Sequence, residues 1–229
     1  MPQHHDEYGG ARLAELPAIL EAPPSERARL VRHKLRLCCK VYDFYQPTRE
    51  VREKEAKQAT LLELIEYVSS GKNVWAPGVA TELLNTVSCN IFRPLGQHAP
   101  MVQKDDEGKG GEDDDEPILE VAWPHLQLIY ELLLRLVLSK EVDSKTAKDY
   151  FSKRFMIQFL NLLDSQDPRE RDYLKTILHR IYGKSMALRA FIRRSINDLF
   201  YTFVYETESF NGTAELLEIL GRYVRTRRR

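Results

Sequence analysis

The stretch Asp167-Pro168-Arg169-Glu170-Arg171-Asp172-Tyr173-Leu174-Lys175-Thr176-Ile177-Leu178-His179-Arg180-Ile181-Tyr182-Gly183 decides the fold class of this chain. Its first four residues place an acidic N-cap, a proline at the first helical position and a glutamate at the third, which together start a helix. Leu174, Ile177, Leu178 and Ile181 then recur at i, i+3, i+4 and i+7, one apolar stripe along that helix. Gly183 is expected to close it. Beyond it, Leu188, Ile192, Ile196, Leu199 and Phe203 form a second stripe, Asn211-Gly212 a break, and Leu216, Leu217 and Leu220 a third.

Working upstream, the same period returns. Phe155, Phe159, Leu160 and Leu163 make a stripe after Ser144, and a buried helix is expected through Trp123 to Leu138, where Pro124 kinks or restarts it. Val79, Leu83, Leu84, Val87 and Ile91 mark a helix from about Pro77 to Phe92. Leu61, Leu64, Ile65 and Val68 mark another, stopped at Ser69-Ser70-Gly71. The first helix is expected to start at an N-cap Ser25 and to carry Leu30, Leu35, Leu37, Val41 and Phe44 inward before Pro47 ends it. Residues 1–24, ending in Pro23-Pro24, read as a mobile extension. Residues 94–116, with Gly108, Gly110, Gly111 and an acidic run, have too little apolar area to offset ordering entropy and read as a mobile loop. No sustained period-2 run bounded by hairpin chemistry occurs. The reading is all-α. Helix pairs spaced by roughly forty residues, with Asp-Pro opening the second of a pair, imply a HEAT-like α-solenoid of antiparallel pairs. A compact bundle is the alternative.

The chain has 229 residues, enough for a substantial core, and its 34 Lys+Arg balance its 34 Asp+Glu. The charges are nevertheless segregated: acidic from Asp105 to Glu116, basic from Arg180 to Arg229. Neither nucleic acid nor a membrane is signalled as a partner. The apolar run Leu126 to Leu138 falls short of the ~20 residues that span a bilayer. Cys38, Cys39 and Cys89 lack metal-ligand spacing and read as reduced thiols in a cytoplasmic or nuclear protein. There is no nucleophile elbow, no phosphate-binding glycine loop and no His-Glu-x-x-His pair, so no catalytic, metal or cofactor site is expected. The basic ending Arg225-Thr226-Arg227-Arg228-Arg229 reads as a solvated terminus.

One set of residues asks for more than helix formation does. His179, Arg180, Tyr182 and Lys184 crowd the end of one helix, while Arg189 and Arg193 lie one turn apart on the next. A guanidinium offers a planar fork to a carboxylate, and tyrosine an apolar wall with a hydroxyl. The set suits an acidic peptide, although ordinary helix-flank residues would give the same composition.

Longer motifs carry a resemblance. Glu116-Pro117-x-Leu119-Glu120-x-Ala122-Trp123-Pro124-His125-Leu126-Gln127-Leu128, the Asp167 to Asp172 and Leu178 to Lys184 segments, Tyr205-Glu206-Thr207-Glu208, and Ala214-Glu215-Leu216-Leu217-Glu218-Ile219-Leu220-Gly221 resemble, in this order, the B-prime (fifty-six kilodalton) regulatory subunits of type 2A protein phosphatase. The resemblance covers about Arg32 to Gly221. It implies a non-catalytic regulator that joins a scaffold subunit and a catalytic subunit, with a groove for LxxIxE motifs of substrates or adaptors. The groove residues it carries over are His179, Arg180, Tyr182, Lys184, Arg189 and Ile219. Arg189 is the implied partner of the motif's acidic residue, and Tyr182 with Ile219 the implied pocket walls. It also implies that the acidic loop Glu112, Asp113, Asp114, Asp115 and Glu116 faces the catalytic subunit.

After Gly221 the resemblance lapses into Arg222-Tyr223-Val224-Arg225 and the basic tail, where the family continues into further repeats. An incomplete C-terminal end is therefore expected, with Leu216, Leu217, Ile219 and Leu220 as an exposed apolar face. The alternative function is a free peptide-binding module that competes for motifs without recruiting phosphatase.

Overall fold

The computed structural model describes residues 11–70, 74–95, 117–207 and 209–226. Within them lie helices and short helical turns and no strand, so the chain is all-α, as expected. None of the helices is long and apolar enough to cross a membrane. The chain divides into two compact units, Met1–Ile91 with Val121–Asp143, and Phe92–Glu120 with Ser144–Arg229.

The first unit holds α1 (Pro24–Leu37), α2 (Val51–Ser69), α3 (Val79–Ile91) and α4 (Trp123–Leu138). Helix α1 packs on α3 and α2 on α4, so alternate helices share a layer, the arrangement expected where helix pairs stack. Leu30, Leu35, Leu61, Leu64, Leu83, Val87, Ile129 and Leu133 are the centre of its core. Helix α1 starts two residues earlier than its sequence suggests. Pro24 takes the first helical position, where its missing N–H is no loss, and Pro23 rather than Ser25 is the cap. Part of the expected extension is packed: Ile19 is fully buried and its amide donates to Glu63.

Helix α1 also ends before Val41 and Phe44, contrary to the single long helix expected. Val41 is 61% exposed, while Tyr42 takes the buried place. Residues 38–50 are held instead by lysines inserted from α2. The fully buried Lys57 donates to the Lys40 carbonyl at 2.7 Å and to Asn90 Oδ1 at 2.6 Å, and Lys54 donates to the Gln46 carbonyl at 2.7 Å. His125 joins them, with Nε2 3.0 Å from the Lys54 carbonyl and its ring edge-on to Phe44. Burial pushes Lys57 down to about 8 and His125 down to about 4. Pro124 falls in the first turn of α4, so it restarts the helix rather than kinking it.

The second unit holds α5 (Ser144–Tyr150), α6 (Lys153–Asn161), α7 (Pro168–Lys184), α8 (Met186–Thr202), a π-helical turn (Phe203–Thr207) and α9 (Thr213–Thr226). Alternate packing recurs, α6 on α8 and α7 on α9. The start of α7 is fastened strongly. Asp167 caps it, accepting from the Arg169 amide at 2.8 Å and from the Glu120 amide at 2.9 Å. Burial alone would raise the Asp167 carboxyl, yet these bonds and the Arg169 guanidinium hold it below the usual range. Glu170 is fully buried and accepts from Ser165 Oγ and from both terminal nitrogens of Arg93, which also reaches Glu120.

The break before α9 is required sterically. A Cβ at Gly212 would come within 2.4 Å of the Leu163 carbonyl oxygen. Asn211 clasps Asp164 across the same approach, its amide N–H at 2.9 Å from Oδ1. Gly183 and Gly71 have different outcomes. Helix α7 runs through Gly183 to Lys184, and Gly71 lies outside the described residues.

Candidate functional site

Helix α7 ends in carbonyls that have no partner further along the helix, and its macrodipole gathers negative partial charge there. The Ser185 amide donates to the Ile181 carbonyl at 2.9 Å. The next two carbonyls belong to Tyr182 and Gly183, and both accept from Arg189 on α8, from Nε at 2.9 Å and from Nη2 at 3.0 Å. The short α7–α8 connection makes this possible by returning the chain within one turn.

The same guanidinium covers the Tyr182 ring, with Cζ 5.2 Å from the centroid. One turn further along α8, Arg193 Nη1 donates to the Tyr182 hydroxyl at 2.8 Å. Tyr182 is therefore held at both ends: its carbonyl and ring face by Arg189, its hydroxyl by Arg193. It is 8% exposed, so it is a support beneath the two cations rather than an open pocket wall. Arg189 uses two of its five N–H donors on these carbonyls; the others have no partner among the described residues. Arg180 is exposed, and His179 and Lys184 are half-buried nearby in sequence on α7. The junction thus brings two cations, Arg189 and Arg193, onto one rigid aromatic base. Ser185, at the junction itself, is fully buried, and its hydroxyl finds no partner among the described residues.

Ile219 lies elsewhere. It is 1% exposed and, with the fully buried Leu216, forms the face that α9 lays into the unit. The expectation that it lines an open pocket does not match this placement. The reason is periodicity: residues 216 and 219 share one face of the helix, and that face is turned inward. Arg171 and Glu215 pair at 2.9 Å, and Lys175 reaches both Asp172 and Glu218, so α9 is tied to α7 along its length. The expected apolar end is correspondingly smaller. Leu216 and Ile219 are covered, Leu220 is half-buried, and Leu217 alone of the four is largely exposed at 57%.

Glu112, Asp113, Asp114, Asp115 and Glu116 lie outside the described residues. The i, i+4 spacing of Arg189 and Arg193 is the sequence signal for the second contact on Tyr182, although spacing alone gives Arg193 no partner. Among the described residues no cluster of three or more His, Cys, Asp or Glu could hold a metal ion.

Residues 16–228 match the family model described as protein phosphatase 2A regulatory B subunit (B56 family). The chain is 51% identical over 206 residues to the B' theta isoform of the serine/threonine protein phosphatase 2A 57 kDa regulatory subunit of Arabidopsis thaliana, covering 90% of this chain and 42% of that protein. It is 45% identical over 219 residues to the alpha isoform of the 56 kDa regulatory subunit of Homo sapiens, covering 96% and 44%. With the human delta isoform the identity is 47% over 210 residues, covering 91% and 34%. The chain spans about two fifths of the length of the curated relatives it matches. These relatives are named as regulatory rather than catalytic subunits, and the cation cluster at the α7–α8 junction falls inside the matched span. The chain belongs to the B56 family of protein phosphatase 2A regulatory B subunits.

Proposed function

We propose that this chain is a non-catalytic targeting element of a heterotrimeric serine/threonine phosphatase, associating with its scaffold and catalytic subunits and capturing LxxIxE-type motifs at the α7–α8 junction. One observation supports the motif site above others: Arg189 is fixed over Tyr182 with N–H donors to spare. A guanidinium already ordered by backbone carbonyls loses little further freedom when it meets a carboxylate, which favours binding. His179, Arg180 and Lys184 add positive charge or hydrogen-bonding capacity on the last turns of α7. In this proposal the acidic run Glu112 to Glu116 faces the catalytic subunit, where electrostatic complementarity sets orientation and encounter rate.

The test is co-precipitation of the folded, soluble chain with purified scaffold and catalytic subunits, scored for bound phosphatase activity. Recovery of both subunits supports the proposal. Peptide capture without phosphatase would instead identify a free motif-binding module, and the holoenzyme claim would fail.

A further inference from the structure

The three cysteines of this chain occupy different environments, and only two of them are placed to react together. Cys38 is fully buried, and that burial pushes its thiol up to about 12, so it is chemically quiet. Cys39 follows in the turn after α1, half-buried, with its sulfur 3.8 Å from both the Leu35 carbonyl and the Thr86 hydroxyl. Thr86 lies on α3, and Cys89 stands three residues further on, hence on the same face. The Cys39 sulfur, resting on Thr86, is therefore one helical turn from Cys89, which is exposed to solvent.

We propose that Cys39 and Cys89 are a redox modification site that closes to an intramolecular disulfide when the chain meets a hydroperoxide. A sulfur in contact with Thr86, one turn from Cys89 on the same face of α3, has a short path to the Cys89 sulfur, and α1, which the Cys39 turn follows, is packed against α3. Solvent exposure selects Cys89 as the first sulfur to react. Burial raises the Cys39 thiol, so it does not compete for the peroxide and is left to resolve the sulfenic acid formed on Cys89.

The steps balance. The Cys89 thiolate attacks one peroxide oxygen and the O–O bond breaks, giving a sulfenic acid on Cys89 and an alcohol or water once the leaving oxygen takes a proton. The Cys39 sulfur then attacks the Cys89 sulfur, and the S–O bond breaks. The departing hydroxide takes the Cys39 proton and leaves as water. The two sulfurs together lose two electrons, and the peroxide gains them. The product ties the turn after α1 to α3 and closes the loop between residues 39 and 89.

The full chain treated with dilute hydrogen peroxide should lose two hydrogen atoms in intact mass, as a monomer, and regain them with dithiothreitol. Digestion should yield one cross-linked pair joining the 37–40 segment to the peptide that holds Cys89, with fragmentation placing the bridge on Cys39. Cys89→Ser, a change at an exposed position, should abolish the mass loss, as should Cys39→Ser. Peroxide products consisting only of sulfinic Cys89, of Cys89-linked dimers, or of bridges that use Cys38 would overturn the proposal. So would a mass loss that persists in Cys89→Ser.

Discussion

Arg189 donates from Nε to the Tyr182 carbonyl at 2.9 Å and lays its guanidinium over the ring of the same residue, 5.2 Å from the centroid. One side chain thus caps the C-terminal end of α7 and orders the cation that would meet a ligand. The capping share should be measurable without any ligand. Arg189→Ala leaves two α7 carbonyls to water and removes a favourable charge at the negative end of a helix dipole. It should lower unfolding stability by about 1 kcal/mol, read from urea denaturation followed by circular dichroism. A loss several times larger would show that the junction depends on Arg189 for more than a cap.

Arg93 should matter far more for stability. Its terminal nitrogens reach the carboxylate oxygens of Glu170 at 2.8 and 2.9 Å, and Glu170 is fully buried. Arg93→Ala leaves that carboxylate buried and without its cation, a situation that typically costs roughly 3–5 kcal/mol. Combining Arg93→Ala with Glu170→Gln should recover part of the loss, because the amide carries no charge. Chemical denaturation of the two variants checks this; equal stability of the single and double variants would contradict it.

Acid should unfold the chain through His125. Its folded pKa of about 4 lies below its ordinary value because burial disfavours the charged ring. Between about pH 6.5 and pH 4 the unfolded chain binds more protons at this site than the folded one. Stability from His125 is therefore fully present above that window and lost progressively as pH falls through it, by an amount on the order of 3 kcal/mol. His125→Gln should be less stable than the parent at pH 7 but should show a flatter stability curve between pH 6.5 and 4. An unchanged slope would rule His125 out as the acid-sensitive group.

Gly212→Ala should loosen α9. The added methyl would meet the Leu163 carbonyl oxygen at 2.4 Å, and backbone cannot step aside as a side-chain end can. Overpacking of this kind costs about 1–3 kcal/mol. Hydrogen exchange should quicken at Leu216 and Ile219, while α1 to α4 keep their protection. Uniform protection throughout would mean that the approach is relieved by a small local shift.

The all-α class was legible because Leu174, Ile177, Leu178 and Ile181 have no other use than a helix stripe, and all four are buried. The start of α7 was equally legible, since an acidic N-cap followed by proline satisfies local backbone needs without help from elsewhere. What local pattern misread was decided at a distance. Val41 and Phe44 continue the α1 period on paper, but Lys54 and Lys57 from α2 capture carbonyls of residues 38–50 and draw Tyr42 inward. No spacing rule predicts a lysine at 1% exposure. At the site, the motif named the cations and Tyr182 but could not tell that the tyrosine is a buried base, or that Ile219 faces the core. Both depend on which way the faces of α7 and α9 are turned, and the contacts with neighbouring helices set that.

Whether Arg189 receives the acidic residue of a captured motif is decided by a double-mutant binding cycle. The parent chain and Arg189→Ala are each titrated calorimetrically with an LxxIxE peptide and with the same peptide carrying alanine in place of its glutamate. A charge-assisted contact of this kind is worth about 1.5–3 kcal/mol, roughly ten- to hundred-fold in affinity. Arg189→Ala should weaken the glutamate peptide by that factor, while the alanine peptide should bind parent and variant about equally. Unchanged titrations with the glutamate peptide, or equal losses with both peptides, would contradict this role of Arg189.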